Sequence, residues 1–318
     1  MNAAPAGELP TLPMRAGHLP LHKVIDLYMA HYAGRDPTRV QRLTWWQVRV
    51  GAIPLQDLSD DHMHAALEEL ALQPSRFWAG TDAAGQPIYK AKRKPLSPAT
   101  INRYGASLSA VITWAIKRRI APKGFVHPGR AIERKPENNE RTRFLSDDER
   151  ERLLSACRAS AWSHLYVLVL MALTTGARKA ELTGLRWGDV DLERAVAYVG
   201  RTKNGDPRVL PLVSKVVEEL KRFKAGPTVL VFTSRVAPEQ PFSFESRWAE
   251  ALKAARIRGF TFHSLRHSCA SMLAQNGATL LEIADVLGHR QLQMTKRYSH
   301  LATAHKAALV TRVLGEIK

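Results

Sequence analysis

Cysteine is nearly absent from this chain: Cys157 and Cys269 are the only two in 318 residues. With no CxxC pair and no Cys/His ligand spacing, neither a disulfide framework nor a metal site is indicated, and a reducing, cytoplasmic setting fits. Also lacking is an uninterrupted apolar run of about 18 residues, the length a spanning helix needs. The opening MNAAPAGELPTLP has no charged segment followed by an apolar one. The chain is therefore expected to be neither secreted nor membrane-spanning. Acids, too, are scarce relative to bases. Lys and Arg number 47 against 29 Asp and Glu, so the net charge is 47 − 29 = +18 and the pI is near 10.2. Such an excess calls for a polyanionic partner. Because the bases recur throughout the chain instead of lining one helix, nucleic acid fits better than an anionic membrane.

The length favours two domains, each burying its own apolar face. Residues 1–19, with several Pro and Gly and no periodicity, read as a flexible arm. Residues 20–121 read as a bundle of four helices. The first carries Val24, Ile25, Leu27, Tyr28 and Tyr32, and Asp36-Pro37 ends its stripe. The second covers 38–50, and Ser59 caps a third that faces Met63, Leu67 and Leu70 inward. Ser97-Pro98 opens the fourth, 99–119, with Ile101, Leu108, Val111, Ile112 and Ala115 at helical spacing. Between the third and fourth, 73–95 has no clean period and reads as a loop or short hairpin.

Bases gather on that insertion, at Lys90, Lys92, Arg93 and Lys94, and at the end of the long helix, at Lys117, Arg118 and Arg119. Together with Asn102 and Arg103 they are candidate contacts to DNA phosphates, which position a protein without specifying sequence. Residues 122–143 hold little to bury and read as the interdomain linker, a basic strap that would let two domains close around a duplex.

The second domain, 144–300, starts at a helix N-capped by Ser146 with acids in its first turn. The apolar stretch 165–173 should be its buried centre. Short alternating runs at 190–192 and 196–199 read as a hairpin turning near Glu193-Arg194, and Asn204-Gly205-Asp206 should join 201–203 to 208–212. The fold class is thus mainly α with a small β-sheet. Residues 301–318 form an amphipathic tail helix that would pack on its own domain or on a neighbouring protomer.

The chemistry concentrates in 260–300, FTFHSLRHSCASMLAQNGATLLEIADVLGHRQLQMTKRYSH. If 262–275 is helical, His263 and Arg266 share a face and His267 points elsewhere, so His267 and Cys269 read as structural. Asn276-Gly277 closes that helix, 279–287 forms another, and Gly288 turns His289 out of it. Tyr298 follows on a stretch, 291–299, poor in core-sized residues and read as a partly exposed, mobile helix. Histidine, arginine, histidine and tyrosine would repel or leave donors unpaired in a core. A bound phosphate resolves this: arginine forks it, histidine adds a donor, and a tyrosine hydroxyl can attack phosphorus.

HSLRH, LGH and the following tyrosine resemble the tyrosine recombinases, or phage-type integrases. Upstream, TTGARKAEL at 174–182 looks like that family's first arginine box and TKNGDPRVLPL at 202–212 like its lysine hairpin. The resemblance implies an N-terminal SAM-like helical core-binding domain, close to SPATINRYGASLSAVITWAIKRR in its last helix, and a C-terminal α+β catalytic domain. It implies that Arg178 and Arg266 grip the scissile phosphate, that His289 adds a hydrogen bond, and that Tyr298 forms a 3′-phosphotyrosyl link without metal, ATP or other cofactor. By the same resemblance Lys203 protonates the leaving 5′ oxygen, with Lys215 and Lys179 as substitutes, His263 acts as general acid/base and Glu181 orients these donors. Double-stranded DNA, self-association on DNA to a tetramer at synapsis through the C-terminal tail, and accessory DNA-bending proteins are the partners it implies. A rival class uses the same residues: 281–298 also fits a helix-turn-helix of a transcriptional regulator without catalysis. The arginine and lysine boxes are unused in that reading.

Overall fold

The computed structural model describes residues 18–34, 36–82, 84, 86–137, 143–200, 207–234 and 237–315, without the side chains of 77, 78, 87, 302–306, 308 and 309. It divides into two compact units, 1–140 and 141–318. Of the expected arm, 1–19, residues 1–17 lie outside the described residues, while Leu19 is buried and its carbonyl accepts from the Leu55 amide at 2.9 Å.

In the first unit α1 (Leu21–Ala30), α2 (Arg39–Val50), α3 (Asp60–Leu72) and α4 (Pro98–Lys117) bury one stripe each around Ile25, Leu43, Trp46, Met63, Leu70, Leu108 and Ile112. Ser59 caps α3 by accepting from the His62 amide, and the His62 ring Nδ1 accepts from the Ser59 amide in turn. The insertion before α4 is a long antiparallel hairpin, β1 (Pro74–Thr81) and β2 (Pro87–Pro95), with Phe77 opposite Lys90 and Trp78 opposite Tyr89. Residues 88–95 are all exposed. With 88–95 exposed throughout, β2 has no alternation to display.

The segment read as linker is fastened to this unit as far as residue 137. His127 is buried, with Nε2 within 3.1 Å of both Thr113 Oγ1 and the Ser109 carbonyl, while Nδ1 accepts from the Gly129 amide at 3.0 Å. Asn102 donates to the Lys135 carbonyl at 2.8 Å and to Glu137 Oε1 at 2.7 Å, and accepts from the Lys135 amide at 2.9 Å.

The second unit is built around α6 (Leu165–Thr175), in which every residue except Thr174 is buried; a helix apolar on all sides must be a centre. Before it, α5 (Asp147–Arg158) has the expected Ser146 N-cap, which Glu149 completes as a capping box. The short α7 (Lys179–Thr183) then leads to a three-stranded antiparallel sheet, β3 (Val190–Asp191), β4 (Val196–Val199) and β5 (Arg208–Pro211), in that order. β5 pairs directly with β4, Val199 opposite Arg208. The expected strand at 201–203 lies outside the described residues. Helices α8 (Ser214–Lys221), α9 (Glu245–Ala254), α10 (Ser264–Gln275), α11 (Leu280–Leu287) and α12 (Thr303–Leu314) complete the unit.

Residues 291–299 do not form the expected exposed helix. They run through two 3-10 segments, Leu292–Met294 and Lys296–Ala302, and Tyr298 is only 4% exposed. Its ring belongs to a small cluster with Cys269, Ala270, Ala274, Ile283 and Leu287. One large side chain dropped into a pocket of small ones leaves no periodic trace in its own segment. No helix among the described residues is long and apolar enough to cross a membrane.

Candidate active site

Two left-handed glycines at helix ends build the frame. Gly176 closes α6 at φ 59°, and a Cβ there would collide with Leu287 Cδ2 and lie 3.3 Å from Cys269 Sγ. The turn is thereby pressed onto α10 and the end of α11. Its carbonyl accepts from Arg266 Nη1 at 2.8 Å, and Arg266 is 4% exposed. Gly288 closes α11 at φ 66°, and a Cβ there would lie 2.5 Å from Arg208 Nη1, which donates to the Leu287 carbonyl. Each buried guanidinium thus caps the negative end of a helix.

Arg178 stands at the N-terminus of α7, where its amide donates to Glu181 Oε2 at 2.9 Å and its Nη1 to Oε1 at 2.7 Å. Glu181 is buried, and Arg208 Nη2 reaches only to 3.8 Å from it. One carboxylate therefore faces two arginines, with a third nearby. Burial, then the charges of Arg178 and Arg208, lowers Arg266 to about 10. Burial also lowers Arg208, against the pull of Glu181. Arg266 Nη2, Arg208 Nε and Arg208 Nη2 are buried donors with no hydrogen-bond partner. Leaving such groups unmade costs about 1–3 kcal/mol each, more when charged. An anion placed among them removes that cost.

The histidines lie around this cluster. His289 pairs its Nδ1 with Thr295 Oγ1 at 2.8 Å, and Thr295 is fully buried. Burial, followed by Arg266 and Arg178, holds His289 down at about 4, so the ring is neutral at pH 7. His267 lies 2.6 Å through Nδ1 from the Tyr298 hydroxyl and is likewise held down at about 4, by burial and then His263. His263 is exposed at the rim, its ring edge-on to His267 at 5.2 Å between centroids; surrounding protein, then Arg266, lowers it. Burial raises the Tyr298 phenol, while Arg297 and Arg266 act against that rise.

The structure thus assembles Arg178, Glu181, His263, Arg266, His289 and Tyr298 within the second unit. Lys203 lies outside the described residues. Of its substitutes, Lys179 is paired with Glu245 and Lys215 with Glu218. His267 corrects the sequence reading: it does not point away but meets the tyrosine hydroxyl. Arg208 and Thr295 were missed. Arg208 lay inside a motif noted for its lysine, and Thr295 meets His289 across a non-helical turn. Among the described residues no group of three or more His, Cys, Asp or Glu side chains is arranged to hold a metal.

In the first unit Arg42, Arg49, Arg76 and Arg103 line a groove of about 970 Å³ together with Trp45 and Tyr104. Lys90, Arg93, Lys94, Lys117, Arg118 and Arg119 are exposed, whereas Asn102 is engaged with Lys135 and Glu137.

The sequence profile of the phage integrase family matches residues 143–305, which hold this whole constellation. The chain belongs to that family. Among relatives, the integrase of Salmonella phage P22 is 25% identical over 298 residues, 87% of this chain and 74% of that protein. A shufflon-specific DNA recombinase of Escherichia coli is 35% identical over 170 residues, covering 53% and 43%. The Tn1549 transposon integrase in complex with circular-intermediate DNA superposes with a TM-score of 0.67 at 19% identity, covering 91% of this chain and 99% of that one. A lambda integrase dimer bound to a core site gives 0.63 at 19%, covering 88% and 95%. These two likenesses extend the family's fold across both units.

Proposed function

We propose that this phage integrase family chain is a site-specific DNA recombinase that breaks and rejoins strands through Tyr298. The observation that carries the reading is the set of buried, unpartnered guanidinium donors on Arg266 and Arg208, beside a buried tyrosine. A scissile phosphate fits them, with Arg178 as the third cation. With the Thr295 hydroxyl donating to Nδ1 of neutral His289, the ring proton sits on Nε2, free to donate to a phosphate oxygen.

In the step itself the Tyr298 oxygen bonds to phosphorus as the P–O5′ bond breaks. The phenol proton passes to a histidine ring, with His263 at the solvent rim, and the leaving O5′ takes a proton from Lys203. The phosphotyrosyl ester conserves the bond for religation by the reverse step, and the arginines stabilise charge developing on the non-bridging oxygens. Lys90, Lys92, Arg93, Lys94, Arg103 and the end of α4 contact flanking phosphates. Lambda integrase is recorded as a tetramer bound to a Holliday junction. For this chain we assign tetramer formation at synapsis to the tail helix, with accessory bending proteins where a site demands them. The regulator reading gains no support: a recognition helix is missing after Gly288, where the backbone continues in 3-10 turns.

The test starts from duplexes tiling the DNA that flanks the gene. The one the protein protects from nuclease is remade with a nick that lets the cleaved end diffuse away, and is run on a denaturing gel. A covalent adduct with the wild type and none with Tyr298→Phe supports recombination. Specific protection with no adduct supports a regulator instead.

A further inference from the structure

We infer that His267 is the positioning residue of the nucleophile, its Nδ1 holding the Tyr298 hydroxyl in register with the arginines that grip the phosphate. This rests on Tyr298 being the nucleophile.

Tyr298 stands in a 3-10 segment whose local backbone tie is a bond from its amide to the Thr295 carbonyl at 3.0 Å. The ring is held by apolar neighbours, Ala270, Ala274, Ile283 and Leu287 among them, which fix its plane but offer the hydroxyl nothing. His267 Nδ1 is at 2.6 Å, with ring centroids 6.1 Å apart. His267 follows Arg266 directly on α10, and Arg266 is locked to the Gly176 carbonyl. One rigid helix therefore carries both the phosphate grip and the holder of the attacking oxygen. The separation between the two is set by helix geometry and does not depend on the loop that delivers the tyrosine. His263, one turn earlier, braces the His267 ring edge-on.

Chemistry agrees with geometry. The His267 ring is neutral at pH 7 and can accept from the phenol through Nδ1 while its proton stays on Nε2. A buried hydroxyl without this acceptor is left unsatisfied and turns freely about its C–O bond. Displacing an attacking atom by about 1 Å costs on the order of 100-fold in rate.

The experiment measures the rate of covalent adduct formation on the nicked duplex for wild type, Tyr298→Phe and three His267 variants. An asparagine amide occupies roughly the place of imidazole Nδ1, a glutamine amide that of Nε2, and leucine has neither. His267→Asn is expected to cleave within about fivefold of wild type, whereas His267→Gln and His267→Leu fall about 100-fold, with noncovalent DNA binding unchanged. Wild-type rates in His267→Leu, or equal losses in the Asn and Gln variants, would overturn the inference by reducing His267 to packing. Should His267→Leu fail to fold, the Asn and Gln pair decides alone. If wild type makes no adduct, or Tyr298→Phe still makes one, the nucleophile assignment itself fails, a result the His267 variants cannot mimic.

Discussion

Gly288 joins backbone conformation to chemistry in a single atom's absence. Its φ of 66° is strained for any side chain, and a Cβ would press on Arg208 Nη1 at 2.5 Å and Cδ at 3.1 Å. Gly288→Ala is therefore expected to cost about 1–2 kcal/mol from backbone strain alone and to push Arg208 off the Leu287 carbonyl. Thermal denaturation should show a drop of a few degrees, with cleavage falling further than stability does. Gly200→Ala, with open space around the position of its Cβ, should leave both unchanged.

A second residue-scale outcome concerns pH. His267 and His289 sit near 4 in the folded protein against an ordinary 6.5. Between those values the unfolded chain binds protons that the folded chain does not, so stability is full above pH 6.5 and falls as pH drops toward 4. In a sealed interior such a gap is worth about 3 kcal/mol per ring; in this half-buried, solvent-screened site about 1 kcal/mol or less each is expected. The denaturation midpoint should decline from pH 7 to 4.5, and bound DNA should reduce the decline because a phosphate favours the protonated rings. A midpoint independent of pH across that range contradicts the burial of these histidines.

Arg178, Arg266, His289 and Tyr298 could be proposed from sequence because each stands in a short motif with a fixed chemical demand. His267 could not. On a helical wheel it lies only about 40° from His263 and 100° from Arg266, and nothing in α10 announces where a tyrosine from a non-helical segment will land.

At the scale of elements, four helices of the first unit and the apolar centre of the second were readable from the 3.6-residue period and their caps. What period could not supply was anything exposed on both faces or held by hydrogen bonds. The β1–β2 hairpin is the first kind, and residues 127–137, tied down through His127 and Asn102, the second. The hairpin also carries a prediction. Its Lys90 and Lys94 are exposed, so as phosphate contacts they act on all sequences alike. Lys90→Ala with Lys94→Ala should weaken binding to target and unrelated duplexes by similar factors and reduce the slope of log K against log salt by about 2. An unchanged slope would remove the hairpin from the DNA interface.

For the whole molecule, the charge of +18 named a polyanionic partner before any element was placed, and the family match agrees with it. Charge alone says nothing of assembly. The contact proposed for it is the tail, where α12 leaves Val310, Val313 and Leu314 exposed at 55%, 62% and 51%. Deleting residues 303–318 is expected to spare DNA binding and the single-site adduct but to abolish the four-protomer complex on paired sites, read by sedimentation. An intact tetramer would place the contact elsewhere. The measurement that bears most directly on the whole account is peptide mapping of the covalent adduct after trypsin and nuclease digestion. The nucleotide remnant, a 3′-phosphate ester, is expected on Tyr298 in the peptide 298–306. A remnant on any other residue, or one joined through a 5′-phosphate, would contradict it.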